Sequence, residues 1–148
     1  MSVVKSKRNE SQYKYFVLAR RIRREITIFS FENFYLKEKL EKYPKWWITN
    51  RRIFLDNLCS ELMKNIKQAT SIYPESNTDF EEKLNRIKTS IAFLDNIEEE
   101  LSYMITILDD SIINRLSSLV ENILEERKLL IGWKKKIGSL YKKFKGNI

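Results

Sequence analysis

From Met1 to Ile131 the chain contains no glycine and only two prolines, Pro44 and Pro74. A helix interior tolerates these two residue types least: proline lacks an N–H and clashes with the preceding turn, and glycine loses the most backbone freedom. Their scarcity leaves three long stretches, 1–43, 45–73 and 75–131, with nothing that obliges the backbone to leave a helix. Apolar residues supply 43% of the chain and charged residues 32%, enough apolar material for a packed core and too much for a disordered polyelectrolyte. At 148 residues the expectation is a single all-α domain that closes one core without help from metal or disulfide. The one cysteine, Cys59, lies in an apolar stretch and reads as a small buried hydrophobe in a reducing compartment.

Apolar spacing divides the chain into four helices. Residues 1–8 read as a flexible basic N-terminus. Asn9 with Gln12 has the form of a capping box, and Tyr15, Ala19, Ile22, Ile26 and Phe29 follow at intervals of three and four, the mark of one buried helix face. This segment is expected over about 9–40, either as one helix or with a break and a restart through Phe31 to Leu40, and with a kink or loop near Lys42-Tyr43-Pro44-Lys45. Pro44 suits the first turn of a second helix, 45–72, whose face is Trp47, Phe54, Leu55, Leu58, Leu62, Ile66 and Ala69, and Tyr73-Pro74 stops it. Thr78-Asp79-Phe80-Glu81 forms a second capping box and opens a third helix, 79–108, with Leu84, Ile87, Ile91, Leu94, Ile97, Leu101, Met104 and Leu108 inward. After a turn at Asp109-Asp110-Ser111, a fourth helix, 112–144, presents Leu116, Leu119, Val120, Ile123, Leu130, Ile137 and Leu140, with Gly132 and Gly138 as costly interior positions. Short connections favour antiparallel neighbours, so the predicted architecture is an antiparallel up-down-up-down four-helix bundle of long helices.

Lys and Arg number 28 against 20 Asp and Glu, a net +8, and the distribution is more informative than the total. Residues 1–24 carry +7, residues 127–148 carry +8, residues 76–126 carry −8 and residues 25–75 carry +1. In an up-down bundle the start of helix one and the end of helix four share a pole, which predicts +15 gathered there. Arg20, Arg23 and Arg24 form a stripe at i, i+3 and i+4, with Arg21 on the other side. Such a surface suits phosphate, which arginine binds through its planar fork. The candidate contacts are Lys5, Lys7, Arg8, Lys14, Arg20, Arg21, Arg23, Arg24, Lys134, Lys135, Lys136, Lys142 and Lys143. Solvated lysines that complement the fourth helix's own dipole are the competing reading. Tyr13, Tyr15, Trp133, Tyr141 and Phe144 are either stacking platforms for unpaired bases or core. The acidic middle either keeps polyanions off the rest of the surface or meets the basic side of another copy in a ring.

The chain has no histidine, which removes the commonest general base and zinc ligand along with the Glu-x-x-His sites of metal-binding bundles. It has no glycine-rich phosphate loop and no Gly-x-Ser-x-Gly elbow. Glu98-Glu99-Glu100 and Glu121 with Glu125 and Glu126 are the candidates for a magnesium site in an enzymatic alternative, but consecutive glutamates on a helix face different sides. The expectation is a protein that is not an enzyme and holds no cofactor. No apolar run reaches signal-peptide or membrane-span length, so a cytosolic location without membrane association is expected.

Four short segments together resemble a known family. They are Ser6-Lys7-Arg8-Asn9-Glu10-Ser11, Ala19-Arg20-Arg21-Ile22-Arg23, Ala69-Thr70-Ser71-Ile72-Tyr73-Pro74 and Leu130-Ile131-Gly132-Trp133-Lys134-Lys135. The chain resembles, across almost its whole length, the four-helix-bundle family that joins proteins encoded by intervening sequences in bacterial 23S ribosomal RNA genes with the accessory variability determinants of diversity-generating retroelements. The resemblance implies a basic bundle that assembles as a homopentamer and, in the retroelement branch, binds RNA and a reverse transcriptase to support complementary-DNA synthesis. It also implies that Lys7, Arg8, Arg20, Arg21, Arg23, Lys134 and Lys135 make those contacts, with Gly132 and Trp133 as packing elements. Residues 27–43 are longer and more aromatic than in compact members of the family.

Overall fold

The computed structural model of the chain describes residues 2–36, 41–108 and 110–147, and the side chains of residues 14–36, 41–108 and 111–147. It contains four long helices: α1 (Ser2–Phe31), α2 (Lys45–Ser71), α3 (Asn77–Ile107) and α4 (Ser117–Gly146). Among the described residues there is no strand. Short 3-10 segments at Asn33–Tyr35 and Asp110–Leu116 lie between the long helices. No helix among the described residues is long and apolar enough to cross a membrane.

Side-chain contacts fix the relative directions. Between α1 and α2, Arg23 meets Asp56 and Arg52 donates to the Ser30 carbonyl, so residue numbers rise in one helix as they fall in the other. The same reversal relates α2 to α3, through Trp47 with Tyr103, Arg51 with Glu100 and Asn65 with Arg86. It recurs between α3 and α4, through Asp95 with Arg127 and Glu81 with Tyr141, and between α4 and α1, through Tyr15 with Trp133 and Glu25 with Asn122. The helices form a closed up-down-up-down bundle, the economical way for four amphipathic helices joined by short connections to bury one stripe each.

The predicted apolar faces supply most of the core. Tyr15, Ala19, Ile22, Ile26 and Phe29 of α1 are all buried, as are Leu55, Leu62 and Ile66 of α2 and Ile87, Leu94, Ile97 and Leu101 of α3. Each Leu, Ile or Phe side chain among them contributes about 1.5–3 kcal/mol when fully buried. Phe54, Val120 and Leu140 depart from expectation, being 44%, 40% and 43% exposed. Their spacing matches the core stripe, but they lie at its edge, where the neighbouring helix does not reach.

Helix ends differ from the sequence reading in four places. The α1 helix begins at Ser2 and not at Asn9, so residues 2–8 continue it and Asn9 lies within it; it ends at Phe31, where the alternative with a break places its end, and residues 37–40 of the expected segment lie outside the described residues. Pro44 is the N-cap of α2, one position ahead of its first turn. The N-cap of α3 is Ser76, whose hydroxyl accepts from the Asp79 N–H, while the Asp79 carboxylate accepts from the Glu75 N–H. This reciprocal pair does the work assigned to Thr78 and Glu81, because the serine two residues earlier already satisfies a free N–H of the first turn. Finally, the 3-10 segment Asp110–Leu116, with Ile112 and Leu116 buried, delays the start of α4 to Ser117. Asp109, part of the predicted turn, lies outside the described residues.

Beyond α1, Asn33, Phe34 and Tyr35 have φ values of 52, 56 and 60°. This is a single left-handed turn of residues with side chains, at roughly 1–2 kcal/mol each. Burial holds it: Phe34 is fully enclosed with its ring 4.9 Å from that of Phe29, and the Arg115 guanidinium lies 4.6 Å over the Tyr35 ring.

Candidate nucleic-acid interface

The stack of Tyr15 on Trp133, with ring centroids 4.4 Å apart and planes within 8°, joins the early part of α1 to the late part of α4. Around it lie several of the predicted basic residues. Lys14, Lys134, Lys135, Lys136, Lys142 and Lys143 are all exposed at this end of the bundle. Lys128, Lys135 and Lys142 repeat every seven residues, as do Lys136 and Lys143, so α4 presents adjacent lysine rows with two helical turns between members. Lys145 lies 4.0 Å over the Tyr141 ring. Lys5, Lys7 and Arg8 lie within α1, but their side chains are outside those described.

The arginines of α1 continue from this group. Tyr15 meets Trp133 and Glu25 meets Asn122, so Arg20 to Arg24 sit level with α4 from about Lys128 back to Ile123. Arg20 is six residues from Lys14 on α1, about 9 Å along the axis at 1.5 Å per residue, within the Debye length of about 10 Å at moderate salt. The basic residues predicted at one pole are thus strung along this side of the bundle, from Lys142 and Lys143 at its end to Arg24 near its middle. The predicted stripe divides: Arg20, Arg21 and Arg24 are exposed, whereas Arg23 is half-buried and lies 3.9 Å from Asp56 of α2. The lysine end has an acidic side too. The antiparallel arrangement brings the start of α3 there, with Glu75, Asp79, Glu81 and Glu82, and Tyr141 donates to Glu81.

A groove of about 920 Å³ opens at this end, lined by residues of α1, α3 and α4 and of the connection between α2 and α3. Lys14, Lys128 and Lys136 line it as exposed cations, with Tyr73, Pro74, Phe80, Leu140 and Phe144 among its apolar walls. Lys83, fully buried, closes the α2 side. Its ammonium donates to the Ala69 carbonyl at 2.7 Å and the Ile72 carbonyl at 2.8 Å, and lies 5.2 Å over the Trp133 ring. It thereby adds a charged donor from a neighbouring helix at the end of α2, where the Ala69 carbonyl also accepts from the Ile72 N–H. Burial pushes its pKa down from 10.5 to about 8. Sequence reasoning missed Lys83 because a lysine at an apolar helical position carries no sign of the carbonyls it will meet. Lys128 has an exposed position at the right spacing, a signal that was available.

Among the proposed stacking residues, Tyr15, Trp133 and Tyr141 are buried and belong to the core. Trp133 carries Tyr15 and the Lys83 ammonium against its ring, and Tyr141 stacks on Phe80. Phe144 is half-buried against Phe80, and the Tyr13 side chain is outside those described. Gly132 and Gly138 are not close-packing positions either, since a Cβ at each meets nothing within 4 Å.

The glutamates considered for metal are dispersed. Glu98 and Glu99 are exposed, Glu100 pairs with Arg51, Glu121 and Glu125 are exposed, and Glu126 is fully buried. Neither Glu126 oxygen has a hydrogen-bonding partner among the described residues. Desolvation raises its pKa from 4.5 to about 8; the Ala19 amide, committed to the α1 ladder, offsets only part of that rise, and Glu125 adds to it. Among the described residues no group of three or more acidic or cysteine side chains is placed to hold a metal. Comparison of the chain with protein-family models, with characterised proteins and with solved structures yields no match.

Proposed function

We propose that this chain is a non-enzymatic accessory protein that binds nucleic acid, RNA in the first instance, through the lysine rows of α4. In this reading it works in the cytosol as a homo-oligomer beside a reverse transcriptase or another RNA-processing protein, the role implied by its resemblance to the accessory proteins of diversity-generating retroelements. The observation that carries the reading is the run of exposed Lys128, Lys135, Lys136, Lys142 and Lys143 on a helix with no acid beyond Glu126. Complementing the helix dipole needs only a cation or two in the last turn, so most of this charge is available to phosphate. Such contacts position a polyanion without reading its sequence.

Anisotropy of a labelled RNA across a salt series tests this. Replacing Lys135 and Lys142 together with glutamine is expected to weaken binding and reduce the slope of log K against log salt by about 2, roughly one per lysine. Unchanged affinity and slope would remove α4 from the interface.

A second reading, an assembly or adaptor protein of the ribosomal intervening-sequence type, is favoured by the opposite end of the bundle. Trp46, Ile53, Phe54 and Tyr103 are exposed there by 65%, 55%, 44% and 41%, and the Arg51 guanidinium lies over both Phe54 and Tyr103. Retention of a protein partner after nuclease treatment would favour that reading over the first.

A further inference from the structure

We infer that the groove beside Gly132 takes an unpaired nucleotide, so that this protein prefers single-stranded nucleic acid to duplex; the inference rests on the nucleic-acid reading of the α4 lysines. Its volume of about 920 Å³ is in the range of pockets that enclose a small organic ligand. Its composition selects for an anion with a flat apolar body. The exposed cations Lys14, Lys128 and Lys136 line it, with Glu75 the only acid among its described lining residues, while Tyr73, Pro74 and Leu140 provide apolar wall. Leu140 occupies a core-like helical position yet is 43% exposed, an apolar surface that the bundle itself leaves uncovered.

Gly132 lies one turn from both Lys128 and Lys136 on the groove side of α4, is exposed, and a Cβ there would meet nothing within 4 Å. The groove is therefore open at this position, with space beside the α4 backbone between the two lysines. Trp133 is not the platform, because Tyr15 and Lys83 already lie against its ring. The base would rest against the bare α4 backbone and the Leu140 and Tyr73 side, with its phosphate toward the lysines. A base within a duplex is stacked and paired and cannot enter, so duplex would reach only the outer lysine rows.

The test compares a short labelled oligouridine with an RNA duplex of equal length at one salt concentration. Gly132→Leu fills the groove from α4, and Leu140→Gln removes an apolar wall at a surface position without changing charge. The single strand is expected to bind more tightly than the duplex, each variant to weaken single-strand binding about tenfold, the scale of one lost base contact, and neither to change duplex binding. Should Gly132→Leu lose helicity by circular dichroism, Leu140→Gln carries the test. Equal wild-type affinity for the two RNAs, or single-strand affinity unchanged in the folded variants, overturns the groove while leaving the lysine rows standing. Failure to bind either RNA overturns both.

Discussion

Glu126 offers the most direct test of the electrostatics of this core. Its carboxyl is fully buried, its oxygens lack hydrogen-bond partners among the described residues, and its pKa stands at about 8 against an ordinary 4.5. The folded chain therefore keeps a proton on Glu126 that the unfolded chain releases above about pH 4.5, and the stabilisation held by the protonated form is lost as pH rises through the folded value. Stability is expected to fall by about 1.4 kcal/mol per pH unit across this window, on the order of 4–5 kcal/mol in all. Lys83 acts with the opposite sign at higher pH. Its folded pKa of about 8 lies below 10.5, so between these values only the unfolded chain holds the proton, and stability recovers by about 3 kcal/mol. The chain has no histidine, so no other side chain of ordinary pKa titrates between pH 5 and 8 to obscure the decline. Urea unfolding followed by far-ultraviolet circular dichroism at a series of pH values measures it. In Glu126→Gln, which keeps the shape and removes the proton, the decline between pH 5 and 8 should be absent, leaving the variant more stable than wild type at pH 8. Parallel pH profiles for the two proteins would refute the assignment of the decline to Glu126.

Other consequences follow from the helix ends. Lys83→Met retains the packing of the stem but removes the ammonium from the Ala69 and Ile72 carbonyls, of which Ala69 keeps the Ile72 N–H, so a loss of about 1–3 kcal/mol is expected. Hydrogen exchange should show weakened protection concentrated in the last turns of α2. Asn33→Val places a β-branched residue at a φ of 52°, which should destabilise the fold by about 1–2 kcal/mol in thermal unfolding, whereas Asn33→Gly should be tolerated.

The buried stripe of α1 was legible because Tyr15, Ala19, Ile22, Ile26 and Phe29 all lie at helical spacing and all are enclosed by neighbours. The same spacing misassigned Leu140 and Val120, since periodicity says which residues share a face but not how far a neighbouring helix covers it. The α3 cap was misplaced by two residues because Ser76 and Thr78 are both good caps locally. The candidate site was legible as charge and not as shape. The lysines of α4 could be counted, but the level of Arg20 to Arg24 along the bundle required the α1–α4 register, which is visible only in the Tyr15–Trp133 and Glu25–Asn122 contacts.

The near absence of helix breakers, the spacing of apolar residues and the positions of Pro44 and Pro74 were sufficient for four long helices, because each is a local property of the backbone. Tertiary structure decided what depends on distance between helices. It set the basic residues of α1 beside those of α4, brought the acidic start of α3 to the lysine end, and placed Lys83 on the α2 carbonyls. It also enclosed Glu126 with no hydrogen-bond partner among the described residues and left Gly132 open to a groove. Burial and Coulomb interaction act through space, so the environment of these groups exists only once the helices have packed.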